Sequence, residues 1–294
     1  MKHSEDKIDD HTRNVARWLR DPDYYSRHKS LNSSTLKGPK NVQNVGPKDG
    51  TKDGPKNSSI VAHELLRDRL LKATPSKIAV GRTGAGTRYK TETYLKMRAD
   101  HAIAKDAVYS EVSDEFLSTF NLLSLKTLCN EREDYLLFPG KGRRLAVESL
   151  RPLELHGSKN ADIQIIVGDG LSAWAVRENL AELLPCLERD LQAAGFVIGR
   201  PNLFVKFARV GVQDQIGTVL KAKATLILVG ERPGLGTGDS LSIYIAYGPK
   251  LDQDNAEKNC VSNVRKLGLL PHEASMEAVR ILKKAFACGH GGVI

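Results

Sequence analysis

A run of residues typical of buried strands, ending in a glycine-rich loop, constrains the fold of this chain most strongly. Residues 225–229 are all apolar or β-branched, and residues 230–236 then read Gly-Glu-Arg-Pro-Gly-Leu-Gly. The run predicts a buried strand. The loop after it can approach a ligand closely, because glycine has no side chain. A tight surface turn is the alternative interpretation of the loop.

The second half of the chain alternates between apolar strands and helices. This alternation favours an α/β fold, with a largely parallel, Rossmann-like sheet covered by helices. We expect Pro185 to break or kink the helix that Ser172 caps. The predicted strands are residues 163–167, 203–207, 225–229 and 242–247, and the predicted helices are one capped by Ser172, residues 212–220, and one that begins at Pro271.

Composition divides the chain into three predicted parts. Residues 1–58 are a disordered leader, in which Gly-Pro-Lys recurs at residues 38, 46 and 54 as a tether. A short amphipathic helix in this leader would carry Ile8, Val15, Trp18 and Leu19 on one face. Residues 59–157 are a mainly helical domain, with a short strand pair near residues 122–125 and 135–138. Residues 158–294 are the α/β domain.

Charge and cysteine usage narrow the classes of function. The net charge of +9 permits a nucleic-acid partner, but no basic stripe interleaved with aromatic residues is present, so we expect none. The four cysteines form no Cys-x-x-Cys pair, which argues against a zinc or redox site and suits the cytoplasm. No apolar run is long enough to cross a membrane, and no signal-peptide core follows Met1.

Residue patterns of catalytic sites are weak. Asp100 and His101 are adjacent on a predicted helix and cannot form an oriented dyad by themselves. No spacing of His, Asp or Glu is typical of a metal site. We therefore predict no catalytic residue and no metal ligand, and interpret the chain as a binding subunit whose chemistry comes from a cofactor or a partner.

Three loops are predicted to meet at the carboxyl edge of the sheet, where α/β proteins bind ligands. They are residues 168–172, which open a helix whose amides could receive an anion, residues 209–211, and the Glu231 loop with residues 237–240. Neither a Rossmann glycine fingerprint nor a P-loop is present. Together the loops predict a shallow platform for a large polar ligand.

Several motifs resemble the small (light) subunit of ethanolamine ammonia-lyase. They occur in the order of that family and cover the chain after about residue 59, whereas residues 1–58 have no counterpart. The matching residues are Gly81-Arg82 with Gly84 and Arg88, Arg98-Ala99-Asp100-His101, Val167-Gly168-Asp169-Gly170-Leu171-Ser172, Asp214-Gln215-Ile216-Gly217, residues 229–236, and Asn259-Cys260-Val261-Ser262-Asn263.

The resemblance implies a carbon–nitrogen lyase that converts ethanolamine to acetaldehyde and ammonia by an adenosylcobalamin radical mechanism. In that family the large subunit, a TIM barrel, is catalytic, and cobalamin lies between it and the small subunit. Carried over by motif, Val210, Glu231 and Cys260 are cobalamin-binding: Glu231 as an acceptor of hydrogen bonds, Val210 as an apolar surface, and Cys260 as a packing contact. A salt bridge from Glu231 to Arg232 or Arg209 is the alternative role for this acid.

Other functions remain open from the sequence. A free-standing cobalamin- or nucleotide-binding module would use the same platform without a partner. A nucleic-acid-binding protein is a third alternative and would show affinity that falls steeply with salt. Ethanolamine-degrading systems are often enclosed in bacterial microcompartments, so the leader is either a signal that binds the shell and directs the chain there or a frayed basic terminus.

Overall fold

Residues 88–293 are described by a computed structural model. The predicted leader of residues 1–58 and the motif residues Gly81, Arg82 and Gly84 lie outside the described residues. The described residues from Tyr94 onward form one compact unit. The division predicted at residue 157 stays a prediction.

The described residues form seven α-helices and one six-stranded sheet. Numbered along the chain, the helices are α1 Thr91–Tyr109, α2 Asp114–Ser118, α3 Arg132–Leu137, α4 Val147–His156, α5 Ala173–Ala193, α6 Val212–Leu220 and α7 Pro271–Cys288. The strands are β1 Leu123–Lys126, β2 Ile163–Gly168, β3 Leu203–Lys206, β4 Ala224–Gly230, β5 Leu241–Tyr247 and β6 Lys258–Val264, in the sheet order β1-β3-β2-β4-β5-β6.

Helices cover both faces of the central strands, which is why their residues are apolar without alternation. Every residue of β2 and β4 is buried. Ile165 packs into the core beneath α5 and α7, while its neighbour Ile166 packs into the core beneath α4 and α6. Successive side chains point to opposite faces of a strand, so a strand between two helical layers needs apolar residues at every position.

The sheet is mixed, so the prediction of a largely parallel, Rossmann-like sheet is only partly confirmed. Strands β1 to β4 are parallel, but β5 runs antiparallel to β4, and β6 antiparallel to β5. Only ten residues, 231 to 240, separate β4 from β5. A parallel crossover needs about a dozen residues or more. This connection is shorter, so β4 and β5 form an antiparallel hairpin.

One prediction of local structure is wrong, and a second is wrong in part. The strand near residue 123 does not pair with residues 135–138, because it joins the main sheet beside β3 and Arg132–Leu137 is helical. Pro185 does not break its helix, since α5 continues through it to Ala193; a kink at this residue stays a prediction. Pro185 is exposed, so water can bond to the carbonyl that its missing N–H leaves free.

The strand order places a switch point beside β2. The chain passes from β2 to β3 on one side and then to β4 on the other, and ligands bind at the carboxyl ends of strands where such a reversal occurs. Among residues 88–293, no helix combines the length and apolarity needed to cross a membrane.

Candidate functional site

A cavity of about 420 Å³ lies at the carboxyl edge of the sheet. It is bounded by the loops after β3 and β4, by the open face of β5 and β6, and by one aromatic ring from α3. Its lining residues are Tyr135, Leu171, Ala208, Arg209, Val210, Val229, Gly230, Glu231, Arg232, Ser242, Tyr244 and Ser262. The three loops predicted to meet at this edge therefore do so, each supplying at least one lining residue.

The crevice between β2 and β4 is closed by backbone. The Leu171 N–H donates to the Gly230 carbonyl at 3.0 Å. A Cβ at Gly230 would lie 2.0 Å from the Ser172 carbonyl oxygen, and one at Gly170, whose φ is +60°, 2.4 Å from the Gly230 oxygen. The glycine that ends β4 thus serves close packing between two loops, so the cavity is displaced toward β5 and β6.

The first turn of α5 is also covered by protein, contrary to the expectation of an anion site there. The Ser172 hydroxyl donates to the Gly238 carbonyl at 2.6 Å and accepts from the Ala175 N–H at 3.2 Å. The Trp174 ring packs against Gly238, at 2.9 Å from the position of a Cβ. Of residues 168–172, only Leu171 reaches the cavity.

The face of β5 and β6 that meets the cavity carries polar side chains, Ser242, Tyr244 and Ser262. Leu241, Ile243 and Ile245 point into the core beneath α5 and α7. The alternate residues Ser242 and Tyr244 therefore point to the opposite face, where α6 packs on β4. Alternate residues of β5 thus contribute apolar side chains to the core on one face and polar side chains to the wall of the cavity on the other.

Glu231 is held in one orientation by three hydrogen bonds. Its carboxylate accepts from the Ser240 hydroxyl at 2.7 Å, from the Ser242 hydroxyl, and from the Asn263 N–H at 3.0 Å. Burial by itself would raise the pKa of this carboxyl, but these hydrogen bonds and the charge of Arg265 outweigh it, so the pKa is lowered. Glu231 is consequently a fixed anion at neutral pH.

The alternative role for Glu231 is not seen. Within residues 88–293, it forms an ion pair with neither Arg232 nor Arg209. A carboxylate offers about four acceptor positions, and three are used. Glu231 can therefore accept one further hydrogen bond from a ligand in the cavity.

Val210 is positioned by a strained turn at the end of β3. Phe207 has φ +59°, a left-handed conformation that costs roughly 1–3 kcal/mol for a residue with a side chain. The Thr127 hydroxyl fixes its carbonyl at 3.0 Å, and the Tyr135 hydroxyl fixes that of Ala208 at 3.0 Å. Burial raises the pKa of Tyr135, so its hydroxyl stays protonated as a donor. The turn delivers Arg209 and Val210 to the cavity.

A buried charge pair supports the same turn from below. The Asp169 carboxylate accepts from the Ala208 N–H at 3.0 Å and lies 3.8 Å from Arg132. Arg132 also donates to the carbonyls of Gly170 at 2.9 Å and Ser110 at 2.6 Å. These bonds tie the loops after β2 and β3 to α3 and to the end of α1.

Cys260 lies beside the cavity without lining it. It is an exposed residue of the edge strand β6 and pairs in register with Tyr244, which does line the cavity. Partial burial raises the pKa of its thiol, and burial raises the pKa of the Tyr244 hydroxyl to about 12. The structure thus brings Val210 and Glu231 to one cavity and puts Cys260 one side chain away; their binding of a cofactor stays a prediction.

Sequence reasoning missed the residues that orient this site. Tyr135 was assigned to a strand, although Arg132 and Tyr135 are spaced by three residues, as on one helix face. Ser242 and Tyr244 alternate with apolar residues along β5, and this alternation is a signal in the sequence that one face of the strand is polar. Asn263 gives no such signal, since it contributes only its backbone N–H. Among the residues that the structure describes, no group of three or more His, Cys, Asp or Glu side chains could hold a metal ion.

Comparison with known proteins agrees with the motifs. Residues 66–294 match the family model described as Ethanolamine ammonia-lyase light chain (EutC). The ethanolamine ammonia-lyase small subunit of Clostridium acetobutylicum is 44% identical over 209 residues, which are 71% of this chain and 85% of that protein. The small subunit of Clostridium perfringens is 42% identical over 210 residues, covering 71% and 70% of the two chains.

A third relative extends the similarity further along the chain. The ethanolamine ammonia-lyase small subunit of Clostridium tetani is 42% identical over 231 residues, which are 79% of this chain and 75% of that protein. The family match extends over the sheet and over every residue that lines the cavity. The chain belongs to the family of ethanolamine ammonia-lyase light chains, also called small subunits.

Proposed function

We propose that this chain is the non-catalytic small subunit of an adenosylcobalamin-dependent ethanolamine ammonia-lyase, which converts ethanolamine to acetaldehyde and ammonia. In this proposal it holds the cofactor against a catalytic large subunit with a TIM-barrel fold. The observation that carries the proposal is the Glu231 carboxylate, fixed by three hydrogen bonds at the edge of a cavity that Val210 also lines.

The residues around the cavity fit a corrinoid cofactor. The corrin ring is apolar on its faces and carries amide side chains at its rim. Val210 offers an apolar surface, Glu231 offers an ionised acceptor for an amide N–H or a ribose hydroxyl, and Tyr244 offers a neutral hydroxyl. Cys260 packs beside them and is not a cobalt ligand.

The size of the cavity favours a site shared between two chains. Pockets that enclose a drug-sized ligand have volumes of about 300–1,000 Å³, and this cavity, at about 420 Å³, is near the lower end. Adenosylcobalamin is several times larger than a drug-sized ligand. This chain would therefore cover only part of it, and a partner would cover the rest.

The division of labour follows from what the site contains. Bound adenosylcobalamin supplies radical chemistry through its cobalt–carbon bond. The residues of this chain bind and orient the cofactor and exclude water from one side of it. Glu231 stays ionised, because its hydrogen bonds lower its pKa.

Reconstitution with the cognate large subunit tests the proposal. We expect turnover of ethanolamine to need both chains. We expect Glu231→Gln to raise the half-saturating concentration of adenosylcobalamin roughly tenfold, which corresponds to about 1.4 kcal/mol. Glu182→Gln, an exposed position on α5, is the matched control and should behave as the unchanged chain.

Two results would contradict the proposal. Full activity of the large subunit alone would remove the need for this chain. Failure of the two chains to associate, together with cofactor binding by this chain by itself, would instead favour a free-standing cobalamin- or nucleotide-binding module.

The leader carries a separate proposal, that residues 1–58 direct the chain into a bacterial microcompartment in the cytoplasm. The sequence supports it through Ile8, Val15, Trp18 and Leu19, which share one face of a predicted helix, and through the Gly-Pro-Lys tether. A fluorescent protein fused to residues 1–30 should form puncta in cells that build such compartments. The same fusion with Trp18 and Leu19 changed to Ser should stay diffuse, and a diffuse unchanged fusion would rule the role out.

A further inference from the structure

Arg265 lies in the loop between β6 and α7 and joins two of the segments that surround Glu231. Its guanidinium donates from Nε to the Asn263 Oδ1 at 2.9 Å and from Nη1 to the Asp239 Oδ1 at 3.1 Å. Asn263 is near the end of β6, whereas Asp239 belongs to the loop between β4 and β5. The Arg265 side chain is only 13% exposed. One planar group therefore ties together two segments that are distant in sequence.

Both partners of Arg265 are placed where they affect a hydrogen bond to Glu231. The backbone N–H of Asn263 donates to one oxygen of the Glu231 carboxylate at 3.0 Å. Asp239 directly precedes Ser240, whose hydroxyl donates to the other oxygen at 2.7 Å. The third donor lies inside β5, where strand pairing holds it. Arg265 thus braces two of the three hydrogen bonds that fix this carboxylate.

Asn263 needs such a brace because its backbone is in the left-handed region, with φ +59°. Asparagine tolerates this region better than most residues because its short polar side chain can form a local hydrogen bond. Arg265 supplies the donor of that bond, and the Leu269 N–H binds the Asn263 carbonyl at 2.9 Å. A Cβ at Gly268 would lie 2.3 Å from the same carbonyl oxygen, so glycine leaves the space for this turn. The direction of the Asn263 N–H therefore depends on a turn that Arg265 holds.

The two sides of this bridge are themselves anchored to the fold. The Arg265 N–H donates to the Leu269 carbonyl, and the Arg265 carbonyl accepts from the Gly268 N–H, both at 3.0 Å. On the other side, the Asp239 carbonyl accepts from the Asn179 side chain of α5 at 2.9 Å. Arg265 therefore connects two fixed segments, and its planar fork sets the distance between them.

Arg265 also acts on Glu231 through its charge. Burial raises the pKa of Glu231, and the hydrogen bonds together with the charge of Arg265 lower it. Burial also raises the pKa of the Tyr244 hydroxyl to about 12 and raises that of the Cys260 thiol, so both neighbours are neutral at neutral pH. Two other arginines line the cavity without an ion pair to Glu231 among residues 88–293, namely Arg209 and Arg232.

We infer that Arg265 is a positioning residue, which acts through Asn263 and Asp239 to set the direction in which Glu231 presents its remaining acceptor position to the cavity. Arg265 is not among the residues that line the cavity. Lysine cannot replace it, because a single ammonium group lacks the planar fork that reaches both partners. The effect on cofactor binding rests on the proposed function, whereas the effect on Glu231 does not.

The first test measures the pKa of Glu231 in the full chain without a ligand, by carbon-13 NMR of labelled glutamate carboxyl groups. The Glu231 signal is the one that Glu231→Gln removes. In Arg265→Lys the pKa should rise toward its ordinary value of 4.5, because the charge is kept and the brace is lost. Lys266→Met, which removes an exposed charge from the next position, should leave the pKa unchanged. An unchanged pKa in Arg265→Lys would overturn the positioning role, since the charge alone would then account for the effect of Arg265.

A second variant tests the route through Asn263. Asn263→Gly keeps the backbone N–H and the left-handed conformation, which glycine adopts readily, but removes the acceptor of the Arg265 Nε. It should raise the pKa of Glu231 as Arg265→Lys does. The double variant should raise it little further, because both changes remove the same hydrogen bond. Additive shifts would show that the two residues act independently and would overturn this route.

The complex with the large subunit tests the consequence for the cofactor. Arg265→Lys should raise the half-saturating concentration of adenosylcobalamin about fivefold, as expected for a weakened hydrogen bond, and should keep turnover at saturation. Lys266→Met is again the control. Reduced turnover at saturation with an unchanged cofactor requirement would overturn a role in positioning Glu231. If Glu231→Gln and Arg265→Lys both leave the requirement unchanged while the NMR shift persists, the proposed function fails and the positioning role stands.

Discussion

The Leu171 N–H and the Gly230 carbonyl, 3.0 Å apart, close the crevice in which an α/β sheet of this strand order would ordinarily bind its ligand. The hydrogen bond joins the loop after β2 to the end of β4. Because these loops touch, the remaining concave surface lies to one side, over β5 and β6. The hairpin that makes the sheet mixed therefore also creates the polar wall of the cavity.

Gly230→Ala should destabilise the fold because the close approach of these loops leaves no room for a methyl group. Its Cβ would lie 2.0 Å from a backbone oxygen of Ser172, which cannot rotate away. We expect a loss of about 3 kcal/mol or more in the free energy of unfolding, measured with urea. Gly140→Ala is the control, since its φ of −63° is one that alanine adopts readily and no atom lies within 4 Å of its Cβ. An equal effect of both changes would show that the contact is relaxed in solution.

The central fold could be predicted from the sequence because burial on both faces forces continuous apolar runs. Strands β2, β3 and β4 and helix α6 were found in this way, at nearly their observed bounds. Edge strands give no such pattern. Strand β6, Lys-Asn-Cys-Val-Ser-Asn-Val, has one covered face and an open edge. Its sequence is therefore mostly polar and does not predict a strand.

The site was predictable in position and not in detail. The spacing of strands and loops placed Val210 and Glu231 at one edge, because parallel strands end there together. Two of the three partners of Glu231 come from β5 and from the end of β6, and their approach depends on strand pairing that no local pattern encodes.

Tyr135→Phe tests whether α3 positions the turn that carries Val210. The change removes only the hydroxyl, so the Ala208 carbonyl loses its donor at 3.0 Å. We expect a loss of about 1–2 kcal/mol in the free energy of unfolding. In the reconstituted complex, the requirement for adenosylcobalamin should rise while turnover at saturation is kept. Tyr94→Phe, at an exposed position of α1, serves as the control; a stability loss without any change in the cofactor requirement would contradict a positioning role.

Lys258→Met tests the buried ion pair that anchors the start of β6. Its ammonium group donates to Asp214 at 3.0 Å and to the Gln253 carbonyl at 2.7 Å. Removing it leaves a carboxylate buried without its partner, so we expect a loss of about 3–5 kcal/mol. The double change Lys258→Met with Asp214→Leu should recover much of that stability, because neither charge is then buried. Urea unfolding measures the free energies of unfolding of the single and the double variant. Equal values for the two would mean that water reaches Asp214 in the single variant.

Glu231→Gln makes the folding contribution of this carboxylate visible as a dependence on pH. In the folded chain the pKa of Glu231 is lowered from its ordinary value of 4.5. A group of this kind stabilises the fold above its unfolded pKa, and the stabilisation is lost as the pH falls through the folded pKa. The difference in unfolding free energy between the unchanged chain and Glu231→Gln should therefore be constant near neutral pH and shrink below about pH 4.5. Urea titrations at a series of pH values measure it, with Glu182→Gln as the matched control. A difference that grows on acidification would mean that the protonated form is preferred, and that Glu231 does not present an anion to the cavity.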